Sequence, residues 1–248
     1  MNRAQIFQQV ADVCRWLTSL PERLPSACPL CRLAARGGHL CEGCEADFFT
    51  ARQHRALCDR CASDLPEDSS CSVCRSNDHW PLQAVASAMD YELGGQMLIR
   101  RYKELGQLAL ARLLARLMAA AAAPMLQTHQ PIAWVPVPAS EQRLNRTGFS
   151  PAQQLASLVA RQTGLPCRLD WLTQFEPVAA QKTLSRMARQ AAVQGRFVAM
   201  GVPVGCTVGL VDDVMTTGST LQAAAVALKA AGANRVIAVV AARTPAMS

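Results

Sequence analysis

Eight of the eleven cysteines in this 248-residue chain lie between Cys28 and Cys74, and all eight sit in C-x-x-C pairs. The pairs form a tandem repeat. Cys28/Cys31 and Cys41/Cys44 are matched, at an offset of 30 residues, by Cys58/Cys61 and Cys71/Cys74. A C-x-x-C knuckle presents two thiolates on one side, and two knuckles complete a tetrahedral site. The spacing therefore predicts two structural Zn²⁺ sites of four thiolates each, a pattern suited to a reducing compartment rather than to a disulfide framework. An iron–sulfur cluster would use the same donors. Pairing within each copy is the simplest arrangement, and an interleaved one (Cys28/Cys31 with Cys58/Cys61) is the alternative. Four closed ligands leave no open coordination position, so the metal is structural or serves recognition. Cys14, Cys167 and Cys206 fall outside the pattern and read as small buried hydrophobes.

A second segment carries different chemistry. From Val208 an apolar run ends in Asp212 and Asp213, passes through Val214 and Met215, and enters the hydroxyl-rich loop Thr216, Thr217, Gly218, Ser219, Thr220. At the carboxyl end of a parallel strand, the N–H groups and hydroxyls of such a loop can surround a phosphate. The two carboxylates are poorly suited to the phosphate itself but well suited to accept hydrogen bonds from a sugar diol beside it. No G-x-x-x-x-G-K-[ST] occurs, which excludes a Walker loop.

These residues need a scaffold, and the chain supplies a recognisable one. Half of it is hydrophobic and 17% is charged, which excludes extensive disorder. Residues 1–24 read as an N-terminal helix, 25–80 as a double zinc-ribbon-like module, and 81–248 as the main domain. In that last region strands are expected at Ala84–Tyr91, Ile132–Val137, Thr207–Val211 and Arg235–Val240. Helices are expected at Gly94–Lys103, Leu108–Ala122, Pro151–Thr163 and Ser219–Ala231. The alternation argues for an α/β fold with a mainly parallel sheet flanked by helices. The net charge of +7 is confined to this region: residues 81–248 carry an excess of +8 and residues 1–80 a balance of −1. Only three of the 25 basic residues are Lys, and Arg favours bidentate contact with phosphate. The longest apolar stretch, Leu117–Leu126, contains Pro124 and falls far short of the roughly 20 residues of a membrane span. No membrane insertion and a cytoplasmic location are expected.

The Asp212–Thr220 segment resembles the 5-phosphoribosyl 1-pyrophosphate (PRPP) motif of type I phosphoribosyltransferases. With the four C-x-x-C pairs ahead of it, the chain resembles the ComF/GntX family, associated with DNA uptake in competence and with use of DNA as a nutrient. Further segments carry the likeness: Tyr91 to Lys103, Val135-Pro-Val-Pro138 with Arg143, Arg146-Thr-Gly148-Phe149-Ser-Pro-Ala152, and Gln181-Lys182 through Phe197. Thr147, Ser150 and Ala192 stand where the family usually has Arg, Asn and Asn.

The resemblance implies a type I phosphoribosyltransferase fold. It also implies a division of labour in which Asp212 and Asp213 hold the ribose hydroxyls and Val214 to Thr220 hold the 5′-phosphate. Arg143 and Lys103 would lie near the ligand's other anionic groups, and Mg²⁺ would accompany the diphosphate. Purine-salvage relatives have an Asp where this chain has Thr216, which cannot act as a general base near neutral pH, so that activity is not expected. Two functions follow: phosphoribosyl transfer to a nitrogen acceptor, or a non-catalytic PRPP-sensing factor that binds single-stranded DNA. Partners would be PRPP, single-stranded DNA and competence or DNA-processing proteins. Aromatic residues are only 5% of the chain, so DNA contact would run through phosphate rather than base stacking.

Overall fold

The computed structural model describes residues 24–66, 70, 71, 73, 80–141, 144, 145, 148–174 and 197–245. The predicted N-terminal helix lies outside these residues. The chain divides into two compact units between Asp47 and Phe48.

The first unit is small. Strand β1 (Pro25–Ala27) pairs antiparallel with β2 (Ala34–Arg36), and the short helix α1 (Glu42–Glu45) follows Cys41. Its only large buried apolar side chain among the described residues is Leu40, so the described part of this unit has little apolar area of its own to hold it together.

The second unit is an α/β domain. In chain order it runs β3 (Ala84–Asp90), α2 (Leu93–Lys103), α3 (Leu110–His129), β4 (Trp134–Pro136), α4 (Pro151–Thr163), β5 (Leu172–Gln174), β6 (Phe197–Ala199), β7 (Thr207–Met215), α5 (Ser219–Ala230) and β8 (Arg235–Arg243). Strands β3, β8, β7 and β4 form a parallel sheet in that order, while β5 and β6 make a separate antiparallel pair. β8 is apolar from Val236 to Ala242 and wholly buried there, as a central parallel strand covered on both faces must be. Val236, Ala238 and Val240 share one cluster with Val208, Leu210 and the α5 residues Leu221, Ala224, Ala225 and Leu228. Helices α3 and α4 pack on each other and on the sheet. The fold class expected from the alternation of strands and helices is the one observed.

Three element ends run three or more residues past the sequence expectation, each for a physical reason. α3 runs through Pro124 to His129 instead of stopping at Ala122. Proline deprives the carbonyl of Ala120 of its donor, but Ala120 and Pro124 both face solvent, so water can satisfy it. β7 extends to Met215 and β8 to Arg243, because each continues the parallel ladder through Met215↔Arg243. One glycine is dictated by packing. A Cβ on Gly209 would sit 2.4 Å from the fully buried Trp134 ring, whose Nε1 donates to Thr163 Oγ1 at 2.9 Å. Among the described residues no helix is long and apolar enough to cross a membrane.

Candidate functional site

The carboxyl ends of β7 and β4, the last turn of α2 and the start of α4 enclose a pocket of about 310 Å³. Its lining includes Lys103, Asp212, Asp213, Val214, Thr216 and Thr220 from the predicted set, together with Tyr91, Val137–Ser140 and Ser150–Ala152. This is where ligands sit in open α/β sheets. Because β7 runs on to Met215, the acidic pair belongs to the strand rather than to the loop. Asp212 Oδ1 accepts from the Asp213 N–H, and Asp213 Oδ1 accepts from the Val214 N–H, both at 2.8 Å. Lys103 Nζ lies 2.7 Å from Asp213 Oδ2, and the Asp213 side chain is only 6% exposed. The pocket therefore holds a buried carboxylate that accepts from the next residue's N–H and is paired with a lysine reaching in from helix α2.

The loop beyond the strand is shaped by Gly218, whose φ of +80° opens α5 in the left-handed region. Glycine brings no side chain to cap the helix, so the N-cap itself does not cover the first-turn N–H groups of Thr220 and Leu221. Ser219 N donates to Thr217 Oγ1 at 3.4 Å, and the Thr217 and Ser219 hydroxyls lie 3.2 Å apart, holding both oxygens at the loop's tip. Met215 is buried beneath it. Such an arrangement can accept hydrogen bonds from a diol at the strand end and donate to a phosphate at the helix start.

The opposite wall is built on α4, with Ser150 Oγ as N-cap to Gln153 N and Pro151 in the first turn. Tyr102 OH lies 3.0 Å from both the Pro151 carbonyl and Gln154 Oε1, and its ring meets Phe149 edge-on at 5.8 Å. Burial, and then the charge of Asp213, push the Tyr102 hydroxyl well above its ordinary pKa, so it stays protonated as a donor. Arg143 lies outside the described residues, as do Thr147, Lys182 and Ala192.

Among the described residues the sulfur atoms gather within each cysteine copy. The Sγ atoms of Cys28, Cys31, Cys41 and Cys44 lie within 4.8 Å of one another, as do those of Cys58, Cys61 and Cys71; Cys74 lies outside the described residues. Cys31 and Cys41 Sγ are 3.4 Å apart and Cys61 and Cys71 Sγ 3.5 Å, close to the ~3.8 Å edge of a zinc tetrahedron with 2.3 Å bonds. These donor sets fit Zn²⁺. The repeat persists in the backbone: Cys28 N donates to Leu33 O at 2.7 Å and Cys58 N to Ser63 O at 2.8 Å. Arg32 and Ala62, again 30 residues apart, both take positive φ, +68° and +53°. Within the first set, burial raises the Cys28 thiol but the N–H groups of Cys41, Cys31 and Leu30 outweigh it and bring it down to about 6. Burial and the neighbouring sulfurs push Cys44 up instead. In the second set burial raises Cys58 to about 11. A divalent cation would release the protons held by such a cluster.

The two copies differ in what surrounds them. Arg32 and Leu33 are exposed, whereas Ala62 and Ser63 are buried in the α/β unit. There Arg52 donates to the Ala62 carbonyl at 2.7 Å and pairs with Asp90, while Arg243 donates through Nε to the Cys61 carbonyl and through Nη2 to Ser63 Oγ, both at 3.1 Å. Arg52 and Arg243 were not singled out from sequence. The one signal was an arginine closing an otherwise apolar strand, Val236 to Ala242.

Comparison with known proteins agrees with this architecture. Residues 144–247 match the Phosphoribosyl transferase domain model. Competence protein F of Haemophilus influenzae is 28% identical over 205 residues, 79% of this chain and 87% of that one. DNA utilization protein YhgH of Salmonella typhimurium is 30% identical over 222 residues, 86% of this chain and 95% of that one. The chain belongs to the ComF/GntX family. Among solved structures, UMP synthase of Leishmania donovani aligns over 56% of this chain and 23% of its own, with 20% identity and a TM-score of 0.33. The family's two characteristic parts, paired cysteine clusters and a phosphoribosyltransferase-like sheet, are both present.

Proposed function

We propose that this chain binds Mg–PRPP in the β7 pocket and acts as a ComF-type phosphoribosyltransferase-like protein in DNA uptake or in the use of DNA as a nutrient. The observation that carries the proposal is the sequence of groups along Asp212–Thr220: two strand-fixed carboxylates, then a glycine-shaped, hydroxyl-bearing turn that opens a helix. Asp212 and Asp213 would accept from the ribose 2′- and 3′-hydroxyls. Thr216 to Thr220 would donate to the 5′-phosphate. The diphosphate would extend toward Val137–Ser140, with Arg143 the cation that the family likeness implies and Lys103 a second one beside the acidic pair.

Transfer would break the bond between C1 of the ribose and the diphosphate oxygen and form a bond from C1 to an acceptor nitrogen. Positive charge develops on the ribose during that exchange, and a carboxylate pair held near the ring suits it. Mg²⁺, held chiefly by the ligand's own oxygens and by water, would neutralise the departing diphosphate. Thr216 offers no base for the acceptor, so the acceptor must arrive already nucleophilic.

A second reading is favoured by that same absence of a base and by the +8 excess of residues 81–248: PRPP sensing by a factor that binds single-stranded DNA without turnover. Pyrophosphate release from Mg–PRPP, measured over a panel of bases, nucleotides and single-stranded DNA, separates the two. Acceptor-dependent release that disappears in the Asp212→Asn/Asp213→Asn variant supports transfer. Binding without release, together with DNA affinity that falls steeply with salt, supports sensing. Retained PRPP binding in the double variant would refute the diol assignment shared by both.

A further inference from the structure

The second cysteine copy and the loop that carries the proposed phosphate cradle share one buried side chain. Arg243, 3% exposed, ends β8 at the carboxyl edge of the sheet. Its Nε and Nη2 hold the knuckle through the Cys61 carbonyl and Ser63 Oγ, both at 3.1 Å. Its Nη1 donates to the Met215 carbonyl at 3.3 Å and to that of Thr216, the first residue of the loop. A second contact runs parallel to it. Trp80 donates from Nε1 to the Arg60 carbonyl, inside the Cys58–Cys61 knuckle, at 2.9 Å. The far edge of the same ring lies against Gly218, where a Cβ would come within 3.0 Å.

From this geometry we propose that Arg243 is a positioning residue that couples the Cys58–Cys61–Cys71 metal site to the Met215–Thr220 loop, so that metal in the one and PRPP in the other hold each other in place. The proposal rests on the PRPP reading above and adds its regulation. A guanidinium suits the role because its donors diverge in a rigid plane: one edge serves the knuckle and the other the loop. Lysine keeps the charge but cannot span both. The knuckle's carbonyls hold their positions only while its sulfurs are gathered, so loss of the metal would free the loop that Arg243 and Trp80 brace. Coupling between two binding sites is reciprocal, so PRPP must retain the metal to the same degree that the metal favours PRPP. Among the described residues the first copy shows no such link in its own unit, where Arg32 and Leu33, which replace Ala62 and Ser63, are exposed.

The test reads metal release rather than turnover. Zinc-loaded full-length protein is mixed with the chromogenic chelator 4-(2-pyridylazo)resorcinol, with and without saturating Mg–PRPP, and PRPP binding is measured separately by calorimetry. Two release phases are expected, of which Cys41→Ser removes the one belonging to the first copy. The remaining phase should slow by about tenfold with PRPP. Arg243→Lys should erase the slowing, and so should Ser63→Ala, which removes one contact and leaves the guanidinium in place. Calorimetric binding with both phases unchanged would overturn the coupling and leave the PRPP reading standing. Equal slowing of both phases would show general stabilisation and overturn Arg243's specific role. Absence of PRPP heat overturns the reading, and the coupling with it.

Discussion

Gly218 offers a test in which backbone and packing costs can be separated. Its φ is +80°, and a Cβ there would meet Met215 Cε at 2.7 Å and Trp80 Cη2 at 3.0 Å. Gly205 has the same φ, +80°, with nothing within 4 Å of its virtual Cβ. Alanine in the left-handed region costs about 1–2 kcal/mol. Gly205→Ala should cost that amount and no more. Gly218→Ala bears it too, plus an overpacking term. The methionine tip can swing aside, but the tryptophan is pinned through Nε1 to the Arg60 carbonyl at 2.9 Å, so we add about 1–2 kcal/mol. At about 2–4 °C per kcal/mol for a domain of this size, Gly205→Ala should lower Tm by about 2–8 °C and Gly218→Ala by roughly twice that. Differential scanning calorimetry at fixed zinc reads both. Gly218→Ala should also weaken Mg–PRPP binding in calorimetry, whereas Gly205→Ala should not. Equal melting of the two variants would refute the claim that the tryptophan closes against this turn.

Thr163→Val leaves the buried Trp134 Nε1 without its 2.9 Å acceptor, which should cost about 1–3 kcal/mol and register as a matching fall in Tm. Lys103→Met leaves the Asp213 carboxylate, 2.7 Å away and nearly buried, without its cation, and should destabilise the domain by about 1–3 kcal/mol in urea unfolding while weakening PRPP binding; unchanged stability would show the pair is solvent-screened. Elemental analysis of the full-length protein should give about two zinc per chain, falling to about one in Cys41→Ser, and iron in place of zinc would overturn the metal assignment.

Much of this molecule was legible because its signals are local. The C-x-x-C spacing states a ligand set without reference to anything distant, and the 30-residue offset between copies reappears as matched turns at Arg32 and Ala62. The acidic pair and hydroxyl-rich turn of Asp212–Thr220 are likewise contiguous in sequence, and the alternation of apolar runs sets the parallel sheet. What stayed hidden depends on contacts remote in sequence. Nothing in the chain announces that Lys103 reaches Asp213 across 110 residues, or that Arg243 joins Cys61 to Thr216. The ends of β7 and β8 were placed short for a related reason: charged residues there look like loop until the neighbouring strand supplies their ladder partners. Pro124 shortens the expected helix in the same way, since a helix stop in isolation becomes tolerable on a solvent-facing side.

The carriage of the acidic pair on β7, rather than on the turn beyond it, makes its acceptors a fixed part of the pocket. Both residues lie in β7, Asp212 opposite Val240 in the ladder, and each carboxylate accepts from the N–H of the following residue, so they cannot follow a ligand that lacks a hydroxyl. A site built on fixed acceptors rejects the analogue missing a donor by as much as ~10⁴-fold, because the orphaned carboxylate stays desolvated. On the proposed reading, then, a ribose is admitted and a 2′-deoxyribose is turned away. The sugar chemistry of DNA itself would bar it from this pocket, and a protein that serves DNA metabolism would meet the polymer on some other surface.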